Sequence, residues 1–86
     1  MGKYSKLREK ILAGGADSNI EFADLCKLLD RLGFEGRVKG DHHIFTQAGV
    51  AEIINLQPKG KKAKPYQVKQ VRNTLVTYRL GEGDVD

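Results

Sequence analysis

The chain has 86 residues, 40% hydrophobic and 30% charged, enough for one small domain (residues 1–86) and too few for a separate catalytic module. No apolar run approaches a bilayer span, and the N-terminal MGKYSKLREKILAGGADSN interleaves charge with apolar residues, unlike a secretory signal; the expected location is the cytoplasm, with no membrane partner. The net charge of +4 is uneven: residues 1–52 carry eight Lys/Arg and eight Asp/Glu, but between Glu52 and Glu82 stand seven Lys/Arg and no acid, which suits a polyanion such as nucleic acid or simply a solvated surface.

Tyr4, Leu7 and Ile11 recur at helical spacing over residues 3–13, and Gly14-Gly15 stops the pattern, predicting a short amphipathic helix. Ser18 with Glu21 matches a capping box. Phe22, Leu25, Cys26, Leu29 and Leu32 then form the stripe of a second helix that ends at Gly33. Cys26 on that stripe reads as a small buried hydrophobe, and a single cysteine forms no internal disulfide. Three stretches with period-two alternation follow, 34–39, 42–47 and 52–57, separated by Gly40-Asp41 and Ala48-Gly49-Val50. They predict an antiparallel meander whose first link, Gly40-Asp41, is a two-residue type I′ or II′ turn. PKGKKAKP at 58–65 reads as a basic loop, with Pro65 suited to the first turn of a third helix. In that helix Val68, Val71, Leu75 and Tyr78 share one face, with Lys69, Arg72 and Arg79 on another. The acidic, Gly-rich GEGDVD at 81–86 is expected to fray.

The order helix, helix, three strands, helix gives an α+β fold with one antiparallel sheet and helices packed on one of its faces. Alternation is read here with Val38, Ile44, Ile54 and Leu56 facing the core. That choice puts Arg37, Lys39, His43, Asn55 and Gln57 on the open face, together with Phe45 and Ile53, which are awkward there unless a neighbour covers them.

The two histidines, His42 and His43, are adjacent on a strand and so point to opposite faces, which argues against one shared metal ion. Asp41 and Glu35 add no recognisable ligand spacing, and neither a catalytic triad nor a phosphate-binding glycine loop is present. A lone imidazole on a basic face remains. It suits the cleavage of RNA, whose 2′-hydroxyl is a built-in nucleophile needing a base to take its proton and cations to stabilise the phosphorane; it equally suits simple binding of a partner.

The segments FADLCKLLDRLGFEGRVKG and GDHHIF, with the closing amphipathic helix, resemble the HicA family of toxin-antitoxin ribonucleases over about residues 19–80. Residues 3–13 then form an N-terminal helical extension. The resemblance implies a fold like the double-stranded RNA-binding domain (dsRBD), metal-independent cleavage of messenger RNA without a cofactor, and inhibition by a HicB-like antitoxin. It maps the catalytic histidine onto His43 and the structural turn onto Gly40 and Asp41. Arg37 and Lys39 are then the candidates for the scissile phosphate, while Lys59, Lys61, Lys62 and Lys64, with Lys69 and Arg72 on the last helix, would hold the RNA backbone. The chain departs from the family pattern at Asp41, where serine is usual, in the third strand, which lacks a Pro-His pair, and in the longer basic loop. Two other readings stay open, a noncatalytic RNA-binding module and a domain that recognises an acidic protein; homo-oligomerisation is also open.

Overall fold

In the computed structural model, which describes residues 2–86, the elements run α1 (Lys3–Ala13), a 3-10 turn (Asp17–Asn19), α2 (Phe22–Arg31), β1 (Glu35–Lys39), β2 (His42–Gln47), β3 (Val50–Leu56), β4 (Pro58–Lys59), β5 (Lys62–Ala63) and α3 (Pro65–Thr77). Gly14 ends α1 in the left-handed region, φ 82°, where its N–H reaches the Ile11 carbonyl. The expected capping box does not form. Residues 17–19 wind into the 3-10 turn instead, Glu21 is the extended N-cap, and the Phe22 N–H, one of the first-turn donors without a partner inside the helix, donates to the Lys61 carbonyl at 2.9 Å.

That acceptor belongs to the segment read as a loop. Within it, residues 58–63 fold into a β4–β5 ribbon pairing Lys59 with Lys62, and the ribbon is bound to the chain ahead of α2 by a Glu21–Lys62 bridge and by the Ala63 N–H to the Ile20 carbonyl, 2.9 Å. The main sheet is the expected antiparallel meander, in the order β1-β2-β3. At its first turn Gly40 has φ 63° while Asp41 keeps a negative φ, which selects type II′.

Leu25, Leu28 and Leu29 of α2 and Val68, Val71 and Leu75 of α3 pack with Phe45, Ile54 and Leu56 of the sheet in one buried cluster, so both helices cover the same sheet face. This is the α+β, dsRBD-like arrangement expected. α1 packs on α2 and α3 and adds Ile11 to the cluster. The acidic tail expected to fray folds back instead. Val85 is buried, and Arg8, itself buried, donates through its guanidinium to the carbonyls of Leu80, Glu82 and Gly83. Asp86 accepts from the Tyr4 and Ser5 N–H groups at 2.8 and 3.2 Å, capping α1 from the far end of the chain.

One expectation is reversed. β2 turns its other face to the helices: Phe45 is 6% exposed and in the core, whereas Ile44 is only half-buried; Val38 shares the Phe45 face yet is 63% exposed. The reason is register. A two-residue turn pairs Lys39 with His42, Val38 with His43, Arg37 with Ile44 and Gly36 with Phe45, and directly paired residues share a face. Val38 and Ile44 therefore lie on opposite faces. On β3, Phe45 pairs with Ile54 and His43 with Leu56, so the core face holds Ile54 and Leu56 as expected and leaves Ile53, 61% exposed, on the open side.

Candidate nucleic-acid interface

The same register sorts the histidines. His43 shares a face with Phe45 and Leu56, is half-buried, and meets the Phe22 ring edge-on, with ring centroids 4.9 Å apart and planes at 78°. It is not on the open face, and it does not stand with Arg37 and Lys39. His42 does: its cross-strand partner is Lys39, Arg37 is two residues along the same strand, and all three are exposed.

Two elements fix the His42 ring. From β3, Asn55 Oδ1 lies 3.0 Å from His42 Nδ1, and because that oxygen only accepts, Nδ1 carries the proton and Nε2 the lone pair. From the turn, Asp41 Oδ1 lies 3.8 Å from Nε2. The other oxygen of Asp41 accepts from Gln57 Nε2 at 3.1 Å, and Gln57 Oε1 in turn accepts from Lys64 Nζ at 3.3 Å. The Gln57 hydrogen bond, then a backbone N–H and the charges of Lys64 and of His42 when protonated, hold the Asp41 carboxyl below the usual range, while burial pushes the other way. Asp41 is thus more than a turn residue: it is an ionised carboxylate beside the nitrogen of His42 that is free to take a proton.

The cations separate into two groups. Lys59 and Lys61 on the ribbon and Lys69 on α3 are exposed, like Arg37 and Lys39. Lys64 is tied to Gln57, and Lys62 donates to Asn19 Oδ1 at 2.9 Å. Arg72 is engaged elsewhere. It forks onto Asp17 with N···O distances of 2.8 and 2.9 Å and donates to the Ile11 carbonyl at 3.1 Å, joining α3 to α1 and the 3-10 turn. Its guanidinium is thus held by α1 and the 3-10 turn, unlike the exposed cations proposed for RNA.

The residues that complete the site were within reach of the sequence. Asn55 and Gln57 fall on the open face by alternation alone, whereas the exchange of His42 for His43 needed the turn register. Cys26 is half-buried on α2, and burial pushes its thiol up to about 11, which leaves it a poor thiolate nucleophile at neutral pH. Among the described residues, no three His, Cys, Asp or Glu side chains converge as a metal-binding group, and no helix is long and apolar enough to cross a membrane.

In comparison with known families, the model of the HicA toxin of bacterial toxin-antitoxin systems matches residues 22–75, more than half of the chain, from the start of α2 almost to the end of α3. No curated protein and no solved structure matched.

Proposed function

Starting from a chain that belongs to the HicA family of bacterial toxins, and so is the toxin of a toxin-antitoxin pair with an antitoxin as its partner, we propose that it is a metal-independent endoribonuclease acting on messenger RNA in the cytoplasm, with His42 as its general base. One observation carries this reading: His42 stands exposed beside Lys39 and Arg37, with Nδ1 held by Asn55 and Nε2 open. The case for His43 rested on its sharing that face and on the family resemblance; that the register sets His42, not His43, beside Lys39 and Arg37 supports taking His42 as the base.

The chemistry follows from the groups present. Nε2 takes the proton of the 2′-hydroxyl, the 2′-oxygen attacks the adjacent phosphorus, and the bond to the 5′-oxygen breaks as that oxygen takes a proton from water, the imidazolium later returning its own to solvent. The product ends are a 2′,3′-cyclic phosphate and a 5′-hydroxyl. Lys39 and Arg37 supply positive charge for the phosphorane oxygens. Asp41 stabilises the imidazolium that forms, and Asn55 keeps the ring in the tautomer that exposes Nε2. The partner in this reading is a HicB-like antitoxin, which blocks the toxin by covering the same face.

A second reading, a noncatalytic RNA-binding protein of the same fold, is favoured by one feature: Asp41 sets a negative charge 3.8 Å from Nε2, where a phosphate would approach. RNA cleavage in EDTA, with binding measured in parallel, separates the two. His42→Ala is expected to lower cleavage by roughly 10²- to 10⁴-fold while leaving RNA affinity within a few-fold, and His43→Ala to retain cleavage. Undiminished cleavage by His42→Ala sinks the assignment of the base. RNA binding with no cleavage by the wild type supports the second reading.

A further inference from the structure

Three tyrosines stand in this chain, and the fold uses two of them. Tyr4 lies under the Arg31 guanidinium, 4.5 Å from its ring centroid, and packs against the core. Tyr78 donates its hydroxyl to Glu52 at 2.7 Å and accepts from the Ala51 N–H at 3.1 Å. Tyr66, in the first turn of α3, is 64% exposed, an unusual setting for a large ring.

Its charged neighbours along the chain are all basic. Lys64 Nζ lies 6.0 Å from the ring centroid, the β4–β5 ribbon with exposed Lys59 and Lys61 runs just ahead of it in the chain, and Lys69, three residues on, projects from the same face of α3. No acid occurs between Glu52 and Glu82. The ring is also joined to the reactive face, because its neighbour Lys64 begins the hydrogen-bonded series Lys64, Gln57, Asp41 that reaches the edge of His42. An exposed ring among lysines offers what an unpaired nucleotide needs, a flat apolar surface for the base and cations for its phosphates.

We propose that Tyr66 is a stacking platform for an unpaired base of the RNA, and that this residue makes the protein select single-stranded over duplex RNA. The proposal rests on the ribonuclease reading for its ligand class and adds the strandedness of the substrate. In a duplex both faces of each base are stacked on neighbours, so the ring has nothing to engage. In a single strand the ring takes one base while Lys59, Lys61 and Lys69 hold the flanking backbone.

The test uses 2′-O-methyl RNA oligonucleotides, which lack the nucleophile and are not cut, with 2-aminopurine as the stacking reporter, in single-stranded form and annealed to a complement. Tyr66→Ala is expected to weaken single-strand binding by about tenfold, to abolish 2-aminopurine quenching and to leave duplex binding unchanged. Tyr66→Trp is expected to keep both affinity and quenching. Equal loss for single strand and duplex, or no loss for either, overturns the platform. The ribonuclease reading fails separately: in that case the wild type does not cleave unmodified RNA, whatever stands at position 66, while stacking is read on the uncut oligonucleotides.

Discussion

Replacing each histidine by alanine and following thermal unfolding tests the register on which the chemistry depends. His43 is half-buried and edge-on to Phe22, whereas His42 is exposed and its one close hydrogen bond, to Asn55, lies at the surface. Losing the aromatic pair costs about 0.5–1.5 kcal/mol beyond the area it buries, and with the partial burial of the ring His43→Ala should cost about 1–2 kcal/mol. A domain of this length unfolds with an entropy near 0.2 kcal/mol per degree, so the midpoint should fall by about 5–10 °C. His42→Ala should stay within about 0.5 kcal/mol, or some 3 °C, as surface substitutions do. Far-UV circular dichroism melts at one pH and salt concentration read both. A melt in which His42→Ala is the destabilised variant and His43→Ala is silent would refute the face assignment, and with it the choice of base.

The same register predicts that Phe45→Ala costs about 3–5 kcal/mol in chemical denaturation, while Ile53→Ala, one face away, costs less than about 1 kcal/mol. The salt dependence of single-stranded RNA affinity should have a log–log slope of roughly −3.5, the value for phosphate contacts from Arg37, Lys39, Lys59, Lys61 and Lys69 alone; Arg72→Gln should leave it unchanged, and Lys61→Gln should lessen it by about 0.7. The Arg72 hydrogen bonds first, against burial, hold Asp17 below the usual carboxyl range; at Asp86 burial pushes upward, but the Ser5 and Tyr4 N–H groups and the Arg31 charge outweigh it. Both carboxylates add stability above their unfolded pKa, about 3.9, and lose it as the pH falls through the lower folded value, so the melting temperature should be level above about pH 5 and drop below about pH 4, less steeply in Asp17→Asn.

Element types were legible because they depend on local periodicity. The stripe from Phe22 to Leu29 and the Pro65 start of α3 formed as read. The orientation of β2 was legible too, though not from hydrophobicity. Ile44 and Phe45 are adjacent and both apolar, so alternation alone cannot choose between them, and the two-residue Gly40-Asp41 turn decides by pairing Lys39 with His42. The ribbon and the tail were not legible. The ribbon is held by backbone bonds to Ile20 and Phe22 and the tail by Arg8 and α1, contacts between segments some 40 to 80 residues apart that leave no periodic trace.

Those distant contacts also change what the charge asymmetry means. Residues matched by the family model run from 22 to 75, and α1, the 3-10 turn and the tail lie outside them. The outer segments turn their charges on one another and on the helical layer: Arg8 holds the tail carbonyls, Asp86 caps α1, and Asp17 takes Arg72 out of the acid-free segment. Lys62 and Lys64 are drawn into hydrogen bonds with Asn19 and Gln57. Of the basic residues the sequence offered to a polyanion beyond the main sheet, Lys59, Lys61 and Lys69 keep exposed ammonium groups with no such bond among the described residues. They lie on the ribbon and α3, on either side of Tyr66 in the chain, so in the proposed reading the affinity for RNA is set along that edge and the reaction beside it, on the face that carries His42.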